Sequence, residues 1–154
     1  MSIQRTMILV WGLALVALTL AAALQYERTM PAEIPSQKSV LIGTTTVTVE
    51  VVDTLELQTR GLSGRTTLPE GEGMLFIFDE LDAPGIWMKD MLISIDIIWA
   101  EDDGTIVTIK ERVSPDTYPQ SFHPDSSRVR YVLEVPAGFV GRHGIAEGMK
   151  IVVQ

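Results

Sequence analysis

Hydrophobic and polar residues alternate along several short stretches of the chain. Residues 46–51 carry valine at every second position, and residues 128–135 alternate in the same way. A period of two is typical of β-strands with one buried and one exposed face. Both stretches are therefore predicted to be half-exposed strands. Residues 40–42, which precede Gly43, are predicted to pair with the first of them as a hairpin arm.

A helix start signal follows the first strand. At residues 53–56 the order Asp-Thr-Leu-Glu has the form of a capping box. In such a box the Asp53 side chain accepts from the first-turn amides while Glu56 reaches back. This predicts a helix of two turns at most, ending near Gly61.

The longest apolar runs of this part of the chain lie between residues 73 and 100. Residues 74–78 are apolar at odd-numbered and even-numbered positions alike, which predicts a central strand covered on both faces. Residues 86–100 are too many for one strand, because strands rarely exceed about ten residues.

Lys89 marks the point where that long run must change. Extending the apolar face of residues 91–99 backwards would bury this lysine in the core. We therefore expect either a bend or bulge at residues 89–92, or a buried Lys89 paired with a carboxylate. The candidate partners are Asp96, Asp90 and Glu72.

The remaining segments complete a β-rich pattern. Asp103-Gly104 predicts a hairpin that leads into a strand at residues 105–113, whereas residues 114–127 lack periodicity and form a long loop. Residues 136–143 can form a helical turn, and residues 149–153 can close the sheet. Six or seven short strands with one or two short helices predict an all-β fold, a compact sandwich or barrel.

The N-terminal segment differs from the rest of the chain. Residues 7–24 contain no charged residue and follow Arg5. This pattern predicts a hydrophobic helix at residues 1–24 that is either a membrane anchor or a cleaved signal peptide. Both alternatives place the remaining chain outside the cytoplasm. Residues 25–39 are predicted to be a tether, and residues 40–154 the β-rich domain.

Composition excludes several kinds of partner and site. The formal net charge is -8, and removing Arg5 with the first 24 residues leaves 11 minus 20, or -9. Such a charge disfavours nucleic acid binding. The chain has no cysteine, and His123 and His143 lie far apart without a ligand pattern. No metal or cofactor is therefore expected.

Three motifs resemble a known family. They are GLSGRTTLPEGEGMLFIF at 61–78, IWMKDMLISIDIIW at 86–99 and YVLEVPAGFVGRHGI at 131–145. Together they resemble the bacterial and archaeal "domain of unknown function 192" over roughly residues 47–153. The resemblance implies a small β-rich domain, frequently behind a signal or anchor, with no established activity. The chain departs from the family at Asp90, Met91 and Ser94, where asparagine, threonine and proline are usual. It also lacks the cysteines that some relatives carry.

A mixed aromatic and charged segment is the candidate site. The Trp-Met-Lys segment follows a Pro-Gly turn, so it can line a cleft with residues from the glycine-rich loop at 61–73. The predicted ligand-binding residues are Arg65, Glu72, Trp87, Lys89 and Asp96. The alternative is that the tryptophan is core and the lysine forms a structural ion pair.

Three functions remain open at the level of sequence. A non-catalytic binding or accessory module, tethered to a membrane through residues 7–24, needs a small ligand or a protein partner. A hydrolase would use Asp96 with Asp90 or Glu72 as acid and base, although no nucleophile, base and orienting residue form a set. A protein-interaction module would use Tyr118, Phe122 and His123 of loop 114–127.

Overall fold

The computed structural model describes residues 15–21 and 35–154. Residues 15–21 are helical, and residues 1–14 and 22–24 of the predicted hydrophobic helix lie outside the described residues. Among the residues that are described, no helix is long and apolar enough to cross a membrane. Residues 35–154 form one unit and are considered by themselves below.

The first hairpin is formed by β1 (Ser36–Ile42) and β2 (Thr45–Val52), which pair antiparallel. Its buried valines at 47, 49 and 51 confirm the predicted alternation. The hairpin arm is longer than predicted, because β1 begins at Ser36. Residues 36–39 of the predicted tether therefore belong to the folded domain.

Helix α1 (Leu55–Arg60) follows and ends at Gly61, as predicted. The predicted cap was wrong by one residue. Thr54 is the N-cap, and its hydroxyl accepts from the Leu57 amide at 3.4 Å. The helix then leads to β3 (Glu72–Asp82), which pairs parallel with β2 and antiparallel with a later strand at Val129–Pro136.

The long apolar run is interrupted, as expected. It forms a two-residue strand β4 (Ile86–Trp87), an irregular turn, and the strand β5 (Ile95–Glu101). Asp90 has a φ of 56° in that turn, a left-handed conformation that non-glycine residues rarely adopt. Because of this bend, Lys89 does not continue the apolar face of residues 91–99. Its side chain is exposed.

The second half of the chain returns to the same sheet. Strand β6 (Ile106–Val113) pairs with β5, and the loop after it holds a 3-10 turn (Pro115–Thr117) and β7 (Ser121–Phe122), which pairs with β4. Strand β8 (Val129–Pro136), helix α2 (Phe139–His143) and β9 (Ile151–Val153) complete the fold.

Seven strands form one sheet in the order β6-β5-β8-β3-β2-β1-β9. The sheet curls until its two edges meet at one end. There Thr105 and Lys150 form an isolated antiparallel bridge, and the Ile106 amide donates to the Met149 carbonyl at 2.8 Å. The fold is thus mostly β, as predicted, with a single curled sheet that resembles half a barrel.

Both faces of the curled sheet are buried. The first core lies on one face and includes Leu75, Ile98, Leu133 and Val135 with residues of α2. The second core lies on the other face, where α1 and β4 contribute residues that pack against those of β3, β5 and β8. It includes Leu57, Phe76, Ile86, Ile97 and Val132. Polar positions on the sheet are therefore not automatically exposed.

Candidate functional site

Asp96 is separated from the other predicted site residues. Its side chain is 0% exposed and lies on the face of β5 that carries Ile98. The carboxylate accepts from the amides of Arg112 at 2.7 Å, Gly138 at 2.9 Å and Val140 at 2.9 Å. Three backbone donors satisfy an ionised carboxylate. Asp96 thus joins β6 and α2 to β5, and the hypothesis that it pairs with Lys89 was wrong.

Arg65 is paired with the carboxylate of Glu50, and the charge of Glu72 acts on Arg65. Arg65 donates to both oxygens of Glu50, at 2.6 and 2.5 Å. That hydrogen bonding, together with the charges of Glu50, Glu72 and Glu134, raises the pKa of Arg65. Arg65 is therefore paired with Glu50 and influenced by the charges of two further acidic side chains.

Trp87 and Lys89 do lie together. The Lys89 ammonium is 5.8 Å from the centroid of the Trp87 ring, within the range of a cation–π contact. Tyr118 contacts the same ring edge-on, with 6.1 Å between centroids. Both aromatic side chains are about half exposed, so the segment presents an accessible aromatic surface.

Loop 114–127 folds back towards this surface. Phe122 pairs with Ile86 across β4 and β7 and packs against the second core. His123 lies on the same side, with Nδ1 3.3 Å from the Ala83 carbonyl oxygen. Of the predicted recognition residues of the loop, Tyr118 and His123 are exposed, whereas Phe122 is partly buried.

A pocket lies between α1, the glycine-rich loop, and β4. Its volume is about 60 Å³, enough for several water molecules or a small organic group. The apolar lining comprises Leu62, Phe76, Ile86, Trp87 and Met91. Polar groups come from Gln58 and Ser63, and the charged residues are Arg60, Lys89 and Glu134. The pocket thus includes two of the five predicted residues, Trp87 and Lys89.

Glu134 is the residue that distinguishes this pocket. It is only 4% exposed, and its Oε2 has no hydrogen-bond partner among the described residues. Burial raises the pKa of this carboxyl from 4.5 to about 8, although the charge of Arg65 acts in the opposite direction. At neutral pH Glu134 is therefore mostly uncharged and can donate a hydrogen bond.

Sequence reasoning missed Glu134 because the alternation in β8 placed it on a solvent-facing side. That side is buried, since Val132 and Glu134 both lie under the second core. One signal was available. Val132 is an apolar residue at the same parity as Glu134, so that face of the strand is not uniformly polar.

No group of three or more metal-ligating side chains occurs within residues 15–21 and 35–154. The carboxylate pairs considered for hydrolysis are not assembled either. Asp96 is engaged by backbone amides in the first core, whereas Asp90 is exposed at the turn before β5. The pocket is thus left with one carboxyl group, that of Glu134.

The family model DUF192, described as "Uncharacterized ACR", matches residues 38–153. The chain belongs to the DUF192 family. This confirms the resemblance found in the three motifs, all of which lie within the matched range. No curated protein matches this DUF192 chain.

Two crystal structures resemble this DUF192 domain. The first, from Sinorhizobium meliloti 1021, is provisionally described as a transcription regulator; it is 28% identical, with a TM-score of 0.73 over 80% of this chain and 98% of that one. The second is a protein of unknown function from Novosphingobium aromaticivorans DSM 12444. It is 27% identical, with a TM-score of 0.72 over 79% of this chain and 94% of that one.

Proposed function

We propose that this DUF192 domain is a non-catalytic binding module that holds a small ligand in the pocket lined by Glu134, Trp87 and Lys89. The observation that carries the proposal is the buried carboxyl of Glu134, whose Oε2 is unpartnered among the described residues. Leaving a buried polar group without a partner costs about 1–3 kcal/mol. A ligand that supplies the missing partner recovers part of that free energy.

The surroundings of Glu134 support a binding role. Apolar walls with few polar groups are typical of small-molecule sites, and both are present here in one pocket. The aromatic ring of Trp87 is about half exposed, so it can contact a ligand without unfolding of the core. Asp96 supplies the contrast, because its carboxylate already has three donors and has no need of a ligand.

The proposal includes a location outside the cytoplasm. It is supported by the uncharged residues 7–24 after Arg5, a pattern that favours an anchor or a signal peptide. Protease treatment of intact cells and of spheroplasts tests this part. The domain is expected to be degraded when the outer face of the cytoplasmic membrane is exposed, and protection until that membrane is lysed would contradict it.

A regulator that binds DNA is not part of the proposal, despite the description of the Sinorhizobium structure. The net charge of -8 opposes association with a phosphate backbone. Several basic side chains also have acidic partners, including Arg65 with Glu50 and Arg142 with Glu70. We therefore expect no nucleic acid binding in a filter-retention assay at about 0.15 M salt.

A thermal-shift screen against a library of small molecules tests the binding function. A ligand present at about 100 times its dissociation constant adds about 2.7 kcal/mol of stability. Ligands of this pocket are expected to stabilise the full-length chain and to change the fluorescence of Trp87. Trp87→Phe should remove that fluorescence change while retaining the pocket wall.

Two matched variants locate the binding site. Glu134→Leu replaces the buried carboxyl, whereas Glu80→Gln changes an exposed glutamate of β3. The proposal requires that Glu134→Leu abolishes the ligand-induced shift and that Glu80→Gln leaves it unchanged. A ligand that stabilises both variants equally binds elsewhere, and a library without any ligand for the pocket contradicts the function.

A protein-interaction role is the second candidate, because Trp87 and Tyr118 form an exposed aromatic pair. Aromatic side chains on loops commonly anchor partner proteins. In cross-linking from intact cells, Tyr118→Ala should abolish a specific adduct, whereas Glu134→Leu should leave it. The reverse pattern would favour the pocket.

A further inference from the structure

The charges that line the pocket define its ligand more closely. Lys89 and Arg60 are exposed and line it, and Glu134 is its one acidic residue. This arrangement is found in a protein whose net charge is -8. With Glu134 uncharged, the pocket presents positive charge, which attracts an anion.

The groups facing Glu134 come from several elements. Arg65, from the loop after α1, lowers the pKa of Glu134, but its guanidinium also forms two hydrogen bonds to Glu50 of β2. Glu72 of β3 and Glu50 both act on Arg65 and reduce the free positive charge near Glu134. Lys89 and Arg60 line the pocket from the turn before β5 and from α1. Desolvation therefore dominates, and Glu134 remains a hydrogen-bond donor.

The dimensions and walls limit what can enter. A volume of about 60 Å³ admits only a few non-hydrogen atoms. Phe76, Ile86 and Met91 require that part of the ligand be apolar. A carboxylate oxygen is a strong acceptor for a carboxyl donor, because hydrogen bonds to ionised acceptors are short and strong.

We propose that the pocket binds a short aliphatic monocarboxylate, which accepts a hydrogen bond from the neutral Glu134 carboxyl and pairs with the Lys89 ammonium. This inference rests on the binding function proposed above and names its substrate class. An alkylammonium ion is the alternative ligand of opposite charge. It would need an ionised Glu134 and would bring a second cation close to Lys89.

The probes are butyrate, butyramide and butylammonium, which share size and differ in charge. Isothermal titration with the full-length chain at pH 6 and pH 9 measures their affinities. Butyrate is expected to bind at pH 6 at least tenfold more tightly than the other two. Its affinity should fall at least tenfold at pH 9, because Glu134 then loses the proton that it donates.

Two variants separate the contribution of the Glu134 hydrogen bond to butyrate affinity from that of the Lys89 charge. Glu134→Gln keeps a donor that does not titrate, so butyrate should bind within a few-fold of the wild type at pH 6 and with little change at pH 9. Any remaining pH dependence in this variant comes from groups other than residue 134. Lys89→Met removes an exposed charge and should weaken butyrate at least fivefold while leaving butyramide unchanged.

The outcomes distinguish the two proposals. If butylammonium or butyramide binds better than butyrate, and Glu134→Leu abolishes that binding, the monocarboxylate class is wrong and the pocket still binds a ligand. If the pH dependence of butyrate is the same in Glu134→Gln, the donor role of Glu134 is wrong. If neither these probes nor the wider library enters the pocket, both proposals fail.

Discussion

Asp96 and Glu134 are two buried carboxyl groups on neighbouring strands of one sheet, and they are treated in opposite ways. Asp96 lies opposite Val135, and Glu134 lies opposite Ile97, across the β5–β8 ladder. Asp96 accepts from three backbone amides, whereas Oε2 of Glu134 has no partner among the described residues. One belongs to the first core and the other lines a pocket beside the second.

The difference shows how a buried acidic residue with a structural role can be distinguished from one that belongs to a binding site. A carboxylate with several donors stabilises the elements that supply them, here β6 and α2. A carboxyl without a partner destabilises the empty protein, and such groups are concentrated at functional sites. Burial alone does not distinguish the two, since both are almost completely buried.

The largest expected effect is the removal of the Asp96 carboxylate. Asp96→Ala leaves three amides without their acceptor, and we expect a loss of about 5 kcal/mol in the free energy of unfolding, at 1–3 kcal/mol for each unsatisfied group. Urea denaturation of the full-length chain at pH 7 measures it. Glu134→Ala is the matched truncation, and the comparison fails if it costs as much as Asp96→Ala.

The pH dependence of stability is the next effect. Glu134 loses its proton near pH 4.5 when unfolded and near pH 8 when folded. Between these two pH values the unfolded state binds fewer protons than the folded state. Glu134 therefore lowers the free energy of unfolding progressively as the pH rises from 4.5 to 8. The full loss is roughly 5 kcal/mol, at 1.36 kcal/mol for each pH unit.

Glu134→Gln should remove that dependence. We expect the variant and the wild type to differ by less than about 1 kcal/mol at pH 5, because both side chains are then neutral. At pH 8.5 the variant should be clearly the more stable. Parallel stability profiles from pH 5 to 8.5 would show that Glu134 is already ionised or hydrogen-bonded in the fold.

Gly73 tests the strand contact that holds Glu134. A Cβ at this position would lie 2.6 Å from the main-chain oxygen of Glu134. Gly73→Ala must therefore push β3 and β8 apart, at a cost of about 1–3 kcal/mol as for overpacked cores. Thermal unfolding checks this, with Gly141→Ala as a control, because a Cβ at Gly141 would meet only the Glu111 carboxylate, at an ordinary contact distance of 3.5 Å. Equal losses in both variants would mean that the contact with the Glu134 main-chain oxygen is not the cause.

The smallest effect concerns the charge beside Glu134. Arg65 lowers the pKa of this carboxyl, so Arg65→Met should raise it further. The direct change in stability should be at most about 1 kcal/mol, because the Arg65–Glu50 pair is partly exposed. Carbon-13 NMR titration of the glutamate carboxyl groups follows the pKa. A decrease would mean that Arg65 does not act on Glu134.

Local patterns were sufficient to predict much of the fold. The alternating valines of β2, the apolar run of β3 and the Asp103-Gly104 hairpin are each encoded within a few residues. The interruption near Lys89 could be predicted from the alternation of side chains between the two faces of a strand alone. The N-cap was displaced from Asp53 to Thr54 because either side chain can accept from the first turn, and only the backbone conformation selects one.

The site was less predictable because it depends on which faces are covered. Alternation in β8 indicates exposure for Glu134 only if one face of the sheet meets solvent. Coverage by α1 and β4 is a non-local property, as are the three amides that engage Asp96. Trp87 and Lys89 were recognised because they are local neighbours after a Pro-Gly turn.

The pairing that adds β9 to the sheet also constrains the order of folding. Val40 of β1 lies opposite Val153 of β9, a separation of 153 minus 40, or 113 residues. Bringing such distant segments together costs loop-closure entropy before any contact compensates for it. Chains dominated by non-local pairing fold slowly, on a scale of milliseconds to seconds. We therefore expect the local hairpins to form first and the β1–β9 edge to acquire hydrogen-exchange protection among the last of the strands.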